Sequence, residues 1–391
     1  MQFVRVVFAP LLFASVLAAQ AADAQADEQT KKVRAAYHDF VDQRDNGAQK
    51  LKDLTERMKA LPVNSKERSD LVQEAEKIRR ESKAPSAPFL EEFRKADWTK
   101  FDPKADESLL REGLTGVSRD RADPQKAIAA GREYLLRWST DRVAAALRSH
   151  YLPMALLALD KPDEAAGFLR EAADGGQGAV KAAALLSLGD LTAVRGDATG
   201  AAKVYAEVDQ AGDKNSKEFA ALRSAVVGKP APELDSKVWI GAEPTPLSRM
   251  KGKVVMLGFW ATWSPTCRAA VQDWNAARDQ FAAQGFECLG VTRFFGHGYL
   301  PSDEGQILNG GRSFQGMKAE EFGKHVADYH TNTKTHFPFV VAEEADFKNY
   351  RVLPMPTVVL VGRDGNVAMV STSPEFDELV KFGVRHLLGA K

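Results

Sequence analysis

The chain has 391 residues, with 53 basic and 53 acidic side chains and 44% hydrophobic residues. This length is sufficient for two or three domains with cores of their own. A net charge near zero, with both signs interspersed, argues against nucleic acid or an acidic membrane surface as a partner.

The first 21 residues have the pattern of a secretory signal peptide. Arg5 precedes an apolar run over residues 6–18, and Ala19-Gln20-Ala21 fits a small-residue cleavage site. The run is shorter than the roughly 20 residues of a membrane-spanning helix, and no later segment is better suited. We therefore expect an exported mature chain from about Ala22, without a transmembrane anchor, in the periplasm of a Gram-negative-type bacterium.

Residues 22–121 are predicted to form an N-terminal helical region. Apolar side chains recur at helical spacing, as at Val33, Tyr37 and Val41. Breaks between the helices are predicted at Asn46-Gly47, 61–64 and 84–88. The pattern favours amphipathic helices packed on one another, with their charged faces in solvent.

Residues 122–225 are rich in alanine and contain a faint internal repeat that resembles a tetratricopeptide repeat. The clearer copy comprises Leu188, Gly189, Ala201, Tyr205 and Val208. An earlier copy, offset by close to the roughly 34 residues of such repeats, comprises Ala165, Leu169 and Ala172. The small residues predict closely packed helical hairpins. Both a peptide-binding concave face and a plain helical spacer remain open.

Residues 226–391 are predicted to form an α/β domain after the helix-breaking stretch Gly228-Lys229-Pro230-Ala231-Pro232. Strands are predicted over 254–259, 286–292, 337–341, 357–361 and 367–371. Helices are predicted over 265–284 and 375–388, and an insertion over 294–336 has its own helix near 317–330. A βαβ unit followed by a β-hairpin and a helix indicates a mixed sheet.

The two cysteines, Cys267 and Cys288, are predicted to be unpaired. Cys267 lies one turn into the predicted helix, and Cys288 lies early in the next strand. Rises of about 1.5 Å per helical residue and 3.3 Å per strand residue place them beyond the Cα separation of about 4.4–6.8 Å that a disulfide tolerates. We expect Cys288 to be a buried residue that behaves as a small hydrophobe.

Several motifs in the last domain resemble the TlpA/ResA-like redoxin branch of the thioredoxin superfamily. They are Gly228-Lys229-Pro230-Ala231-Pro232, Phe259-Trp260-Ala261-Thr262-Trp263, Cys267-Arg268 and Met355-Pro356-Thr357. The resemblance implies a thioredoxin-like fold and the activity of an extracytoplasmic thiol-disulfide oxidoreductase. It also implies that Pro356 is a cis-proline that faces the active-site turn.

The sequence departs from this family at the site itself. In a dithiol site the first cysteine attacks as a thiolate at a helix N-terminus, and the second resolves the mixed disulfide. Here Ser264 stands at the first position and Cys267 at the second, and serine suits a helix N-cap but cannot form a disulfide. Gly258 stands where relatives carry Asp or Asn, and Ala270 stands where many carry an acid. The groups for proton transfer are therefore missing as well.

Two functions remain open, so the sequence does not decide whether the protein is an enzyme. One is a degenerate Ser-x-x-Cys site that binds proteins or peptides. The other is an oxidoreductase that uses Cys267 as a lone thiol, with a thiol-containing protein or a small thiol as its partner. A buried Cys267 favours binding, whereas an exposed one with a lowered pKa favours chemistry. The substrate-binding candidates are Trp263, Pro265, His297, Met355, Pro356 and Thr357.

The insertion contributes aromatic residues and histidines. The stretch 294–299 is expected to flank the active-site turn, where its side chains either form a binding surface or only pack the insertion down. Four histidines fall in this insertion: His297, His325, His330 and His336. Because paired cysteines, adjacent acids and H-x-x-x-H spacing are missing, we expect neither a metal nor another cofactor.

Overall fold

A computed structural model describes residues 9–62, 65–81, 86–236, 238–301, 311–352, 354–373 and 377–389; the side chains of 9–26, 80, 81 and 86 are outside this description. The predicted signal peptide, 1–21, therefore lies outside the described side chains and stays a prediction. Within the described residues, no helix combines the length and the apolar character needed to cross a membrane. Contacts divide the chain into two compact units, residues 1–139 and 140–391.

The described part of the first unit is helical. Its α-helices are α1 (Ala9–Lys59), α2 (Lys66–Glu81), α3 (Ser86–Lys95), α4 (Glu107–Ser118) and α5 (Pro124–Arg137). The predicted break at Asn46-Gly47 is wrong, because α1 continues through both residues. Phe40 and Leu54 are buried on either side of Gly47, and this packing offsets the roughly 1 kcal/mol that a glycine costs within a helix.

The core of the first unit is rich in aromatic side chains. Phe40 and Phe89 stack with their ring centroids 5.8 Å apart, and Arg34 donates two hydrogen bonds of 2.9 and 2.7 Å to Asp106.

Helix α5 belongs to this unit, although the sequence pattern assigned it to the second helical domain, 122–225.

The second unit begins with a helical segment. Its helices are α6 (Arg142–Ala146), α7 (Leu152–Ala158), α8 (Pro162–Gly175), α9 (Gly178–Val194), α10 (Ala198–Ala211) and α11 (Lys214–Val226). Helix α9 packs against both α8 and α10. A Cβ atom on Gly189 of α9 would lie 2.2 Å from the Tyr205 ring of α10. The glycine therefore permits the close helix approach that the repeat pattern predicted.

The rest of this unit is a mixed sheet with helices on both faces, which confirms the predicted fold class. The sheet has the strand order β1-β6-β3-β2-β7-β8, and β4 and β5 form a separate hairpin. The strands are β1 (Val238–Ile240), β2 (Val254–Phe259), β3 (Phe286–Thr292), β4 (His297–Leu300), β5 (Arg312–Gln315), β6 (Phe339–Val341), β7 (Thr357–Val361) and β8 (Val367–Ser371). The helices are α12 (Pro265–Phe281), α13 (Ala319–Asn332), α14 (Glu344–Asn349) and α15 (Glu378–Leu388).

Strands β2, β3 and β6 are parallel to one another. Strand β7 runs antiparallel to β2, and β8 runs antiparallel to β7. The carboxyl ends of the parallel strands therefore meet at one edge of the sheet. The turn to α12 follows β2, the insertion follows β3 and α14 follows β6. The segments that follow the parallel strands therefore lie together at this edge of the sheet.

The helical segment supplies part of the core beneath the sheet. Side chains alternate along β2, so Leu257 and its neighbours on that face point away from α12. On that face they pack in one buried cluster with Leu222 of α11 and Phe347 of α14. Because α11 covers the sheet directly, residues 140–225 share a compact unit with the α/β domain.

A buried ion pair ties the helical segment to the end of the sheet. Arg223 of α11 donates hydrogen bonds of 2.8 and 3.0 Å to Asp190 of α9, and both side chains are almost fully buried. Tyr205 donates a further bond of 2.8 Å to the same carboxylate. Arg223 also reaches the hydroxyl of Thr372, just after β8, at 3.4 Å. These contacts join three helices to the last strand.

Candidate functional site

The active-site turn leads from β2 into α12, and Ser264 is the N-cap of that helix. Its backbone is extended (φ −84°, ψ 118°), and its Oγ accepts a hydrogen bond from the backbone N–H of Cys267 at 3.3 Å. The same Oγ lies 2.9 Å from the hydroxyl of Thr266. Pro265, at the first helical position, is solvent-exposed. Serine therefore satisfies a helix N–H that would otherwise lack a partner.

Cys267 lies one turn below the solvent-facing end of α12 and is fully buried. Burial raises the pKa of its thiol, although hydrogen bonds from Ser264 and from the backbone of Ala261, and the charge of Arg268, oppose this effect. Cys288, in β3, is also fully buried, and burial raises its pKa well above the usual value. Both cysteines are free. The site therefore holds a neutral thiol at physiological pH.

Arg268 holds the active-site turn from within. Its guanidinium donates hydrogen bonds to the carbonyl oxygens of Thr262 and Trp263 at 3.1 and 3.2 Å. It also lies 3.9 Å from the centroid of the Tyr299 ring. Its charge next to Cys267 acts to lower the pKa of the thiol, although less strongly than the hydrogen bond from Ser264 does.

The space beneath the turn is filled by an aromatic ring. A Cβ atom on Gly258 would lie 2.4 Å from the ring of Trp274. Trp274 is fully buried, and Ala270 on the same helix is buried as well. The indole of Trp274 therefore fills the space at position 258, where the family resemblance implies Asp or Asn.

Four side chains form a partly exposed group beside the turn, which we call the aromatic surface: Trp263, Phe294, Phe295 and His297. Trp263 is 39% exposed and Phe294 43% exposed. The Trp263 ring centroid lies 5.9 Å from that of Phe295 and 5.4 Å from that of His297. Phe294 also packs on Phe322 of α13 at 5.7 Å. The group therefore both anchors the insertion and presents apolar area to solvent.

The Met355–Pro356 peptide bond is cis. Thr357 starts β7 directly opposite Phe259, the last residue of β2. The cis-proline loop and the active-site turn therefore lie at the same end of two neighbouring strands. Pro356 and Thr357 are buried, and Met355 is half-buried against the core on the α11 side of the sheet.

No sequence pattern indicated the buried contact that joins the insertion to the turn. Thr262 Oγ1 lies 3.0 Å from Nε2 of His325 on α13 and accepts a bond of 3.3 Å from the backbone N–H of Tyr299 on β4. Burial lowers the pKa of His325. The partners are far apart in the chain, so local pattern could not reveal them.

The other insertion histidines have structural partners. His330 Nε2 lies 3.0 Å from the carbonyl oxygen of Phe337, and His336 Nδ1 lies 2.8 Å from the carboxylate of Asp279. Over the part of the chain that the structure describes, no group of three or more His, Cys, Asp or Glu side chains is arranged to hold a metal ion.

Fold and site together define a thioredoxin-fold domain that carries Ser-x-x-Cys at its active-site turn. Residues 226–380 match the family model described as Redoxin. The predicted family resemblance is thereby confirmed.

Among curated relatives, the chain is similar to the thiol:disulfide interchange protein DsbE of Escherichia coli K12, with 42% identity over 73 residues, covering 18% of this chain and 37% of that protein. It is also similar to the thiol-disulfide oxidoreductase ResA of Geobacillus kaustophilus, with 28% identity over 174 residues, covering 44% and 83% of the two chains. The chain spans about two fifths of the length of the DsbE relatives that it matches.

Among solved structures, a thiol:disulfide interchange protein of the thioredoxin family from Chlorobium tepidum TLS matches with a TM-score of 0.30 and 22% identity. The match covers 40% of this chain and 96% of that one.

Proposed function

We propose that this protein is an exported redoxin that binds extended polypeptide segments at its active-site turn and has lost the first step of dithiol exchange. The observation that carries the proposal is the burial of Cys267 beneath Ser264. Export rests on the signal-peptide pattern of residues 1–21, and recovery of a mature chain starting near Ala22 would support it.

The chemistry of the site supports this proposal. Thiol-disulfide exchange requires an accessible thiolate that attacks a disulfide sulfur. Ser264 provides no anion near neutral pH, and burial both hides Cys267 and raises its pKa. With Trp274 filling the space at Gly258, the usual position for a proton-transfer group is also occupied by an apolar ring.

The surface around the turn supports binding. Trp263 and Phe294 expose apolar area, and such area on a soluble protein often marks an interaction site. The cis-proline loop lies at the same end of the sheet, where backbone groups could pair with an extended segment as an added strand. In this proposal the site keeps the polypeptide-binding surface of an exchange enzyme without its attacking sulfur.

The alternative function is a monothiol oxidoreductase that uses Cys267. It is favoured by Arg268, whose positive charge next to Cys267 acts to lower the thiol pKa. That enzyme would need a conformation in which the thiol reaches solvent, and a cysteine of the partner to resolve the mixed disulfide.

The reduction of insulin disulfides by wild type, Ser264→Cys and Cys267→Ala tests the chemistry. We expect wild type and Cys267→Ala to be equally inactive. We expect Ser264→Cys to form a disulfide with Cys267 and to gain modest activity, because a cysteine at the N-cap lies one helical turn from it. Wild-type activity that is abolished by Cys267→Ala would instead establish the monothiol enzyme.

Binding of reduced, carboxamidomethylated lactalbumin, a permanently unfolded protein, tests the binding surface. We expect Trp263→Ala to weaken binding about tenfold, because Trp263 is the exposed aromatic residue next to Ser264. Leu136→Ala is the control, since Leu136 is 82% exposed but lies on α5 in the other unit. Equal affinities for wild type and Trp263→Ala would contradict the proposal.

A further inference from the structure

A cavity of about 490 Å³ opens between α11 and α14, at the carboxyl-end edge of the sheet. We call it the side pocket. Its apolar lining is formed by Leu222 of α11, Phe347 of α14 and Val352, and charged side chains surround it: Glu218, Arg293, Glu344, Lys348 and Arg351. Its volume is within the range of about 300–1,000 Å³ that is usual for ligand sites.

The side pocket is continuous with the aromatic surface through Arg293, which directly follows β3. The Arg293 guanidinium lies 5.3 Å from the ring centroid of Phe347 in the pocket and 4.9 Å from that of Phe295. Phe295 in turn lies 5.9 Å from Trp263. An extended peptide advances about 3.3 Å per residue, so about five residues would cover these three steps.

Among the described residues, one of the cations around the pocket has no carboxylate partner. Glu344 pairs with Arg293 and lies 3.9 Å from Lys348, and Glu218 lies 3.8 Å from Lys214. Within the described residues, the Arg351 side chain has neither an ion pair nor a hydrogen bond. A carboxylate entering the pocket would therefore find a cation that has no competing partner.

Arg351 occupies a position that would suit another residue better. It follows α14 with a φ of 51°, a left-handed conformation in which glycine is the usual choice after a helix. The position thus carries a long cationic side chain despite the local preference for glycine.

We infer that the side pocket is a specificity pocket for an apolar side chain followed by a carboxylate, presented by a polypeptide segment that also contacts Trp263. The inference rests on the proposed polypeptide binding and adds its sequence preference. The apolar lining takes the side chain, and Arg351 takes the carboxylate. Because α11 forms one wall, the helical segment takes part in choosing the ligand.

The test uses fluorescein-labelled ten-residue peptides with a Gly-Ser background. Each contains a tyrosine and, five residues before or after it, one of three residue pairs: Leu-Asp, Leu-Asn or Ser-Asp. We expect the full-length protein to bind the Leu-Asp peptide about tenfold tighter than the Ser-Asp peptide. We expect a smaller advantage over Leu-Asn that declines with added salt, because it depends on an exposed charge pair.

Two matched pairs of variants locate the preference. Ala221 lines the pocket and is exposed on α11, so Ala221→Phe fills the pocket without disturbing the core; Ser224→Phe places the same ring elsewhere on α11. Arg351→Gly removes the cation and Lys334→Gly makes the same change at a left-handed position outside the pocket. We expect Ala221→Phe to remove the preference for leucine and Arg351→Gly the preference for aspartate, while both controls retain them.

Binding of the unfolded lactalbumin separates the two proposals. In one outcome, wild type binds lactalbumin, and Ala221→Phe and Arg351→Gly bind both lactalbumin and the peptides with the affinities of wild type. The side-pocket proposal is then overturned, and the proposed polypeptide binding stands. If wild type binds neither lactalbumin nor any peptide, the proposed function fails and the pocket assignment falls with it. A loss of lactalbumin affinity in Ala221→Phe, but not in Ser224→Phe, supports the pocket.

Discussion

Trp274 determines which side chain can stand beneath the active-site turn. Any Cβ at position 258 would meet its ring at 2.4 Å, which is far closer than van der Waals contact. Asp or Asn at this position, as the family resemblance implies, would therefore need a different residue at 274. Gly258 and Trp274 therefore form one packing arrangement.

We predict that Gly258→Ala lowers the free energy of unfolding by about 1–3 kcal/mol, the usual cost of overpacking a filled core. Gly167→Ala is the matched control, because a Cβ at Gly167 in α8 meets nothing within 4 Å. The free energy of unfolding of Gly167→Ala should rise by up to about 1 kcal/mol, because alanine has a higher helix propensity than glycine. Urea denaturation of both variants checks this, and a Gly258→Ala protein as stable as wild type would show that Trp274 moves aside freely.

The motif residues of the site were predictable and their surroundings were not. Ser264 and Cys267 lie within one turn of a helix, so their N-cap and buried positions follow from local rules. Trp274, His325 and Arg351 reach the site or the side pocket only through the fold. No local pattern identifies a tryptophan as the residue that fills the space above a glycine on another element.

At the scale of elements, three helices in the described part of the chain are followed by a left-handed residue that is not glycine. They are α7 with Asp160, α13 with Lys334 and α14 with Arg351, at φ values of 55°, 48° and 51°. After α14, Val352 N–H bonds to the Phe347 carbonyl at 2.9 Å and Arg351 N–H to the Lys348 carbonyl at 3.0 Å. This is the Schellman arrangement, in which glycine is favoured.

We therefore predict that Lys334→Gly and Arg351→Gly each raise the free energy of unfolding by up to about 1 kcal/mol. Left-handed backbone costs a residue with a side chain about 1–2 kcal/mol, and the greater freedom of glycine in the unfolded chain cancels part of this gain. Thermal unfolding measures the effect, with Lys334→Ala as the control that keeps the strain. Destabilisation by both glycine variants would contradict this account.

The central elements could be predicted because they are long or strongly patterned. β2, β3, β7 and β8 form where continuous apolar runs were found, and α12 starts at the proposed cap. Strands β1, β4 and β5 have only three or four residues, too few for a recognisable period, and their partners lie far away in the chain. The wrong break at Asn46-Gly47 had a related cause, since burial on both sides outweighed the local preference of glycine.

At the scale of the whole molecule, α11 belongs to two layers. It packs with the helical hairpins, and it covers one face of the sheet through Leu222. The predicted boundary at residue 226 rested on Gly228 and the prolines after it, which end the helix. Gly228 and these prolines end α11 but do not separate its apolar face from the sheet.

We predict that a fragment of residues 140–391 is several kcal/mol more stable than one of residues 226–391. The shorter fragment exposes the face of the sheet that α11 covers, and burial of Leu222 alone contributes about 1.5–3 kcal/mol. It also lacks both partners of the Asp190–Arg223 pair. Urea denaturation of the two fragments compares them directly. Equal midpoints and slopes would mean that the helical segment does not stabilise the α/β domain. Cooperative unfolding of residues 226–391 on their own stays a prediction.

The double role of α11 also bears on how the chain is made. A ribosome completes Leu222 and Arg223 before it has added any residue of β2, whose Leu257 shares a buried cluster with Leu222. Asp190 is already present, so the ion pair can form early, whereas the hydroxyl of Thr372 arrives about 150 residues later. At a synthesis rate of about 5–20 residues per second, the apolar face of α11 is exposed for several seconds before the strands that cover it are synthesised. We expect a nascent chain halted before β7 to be captured by holding chaperones at this helix.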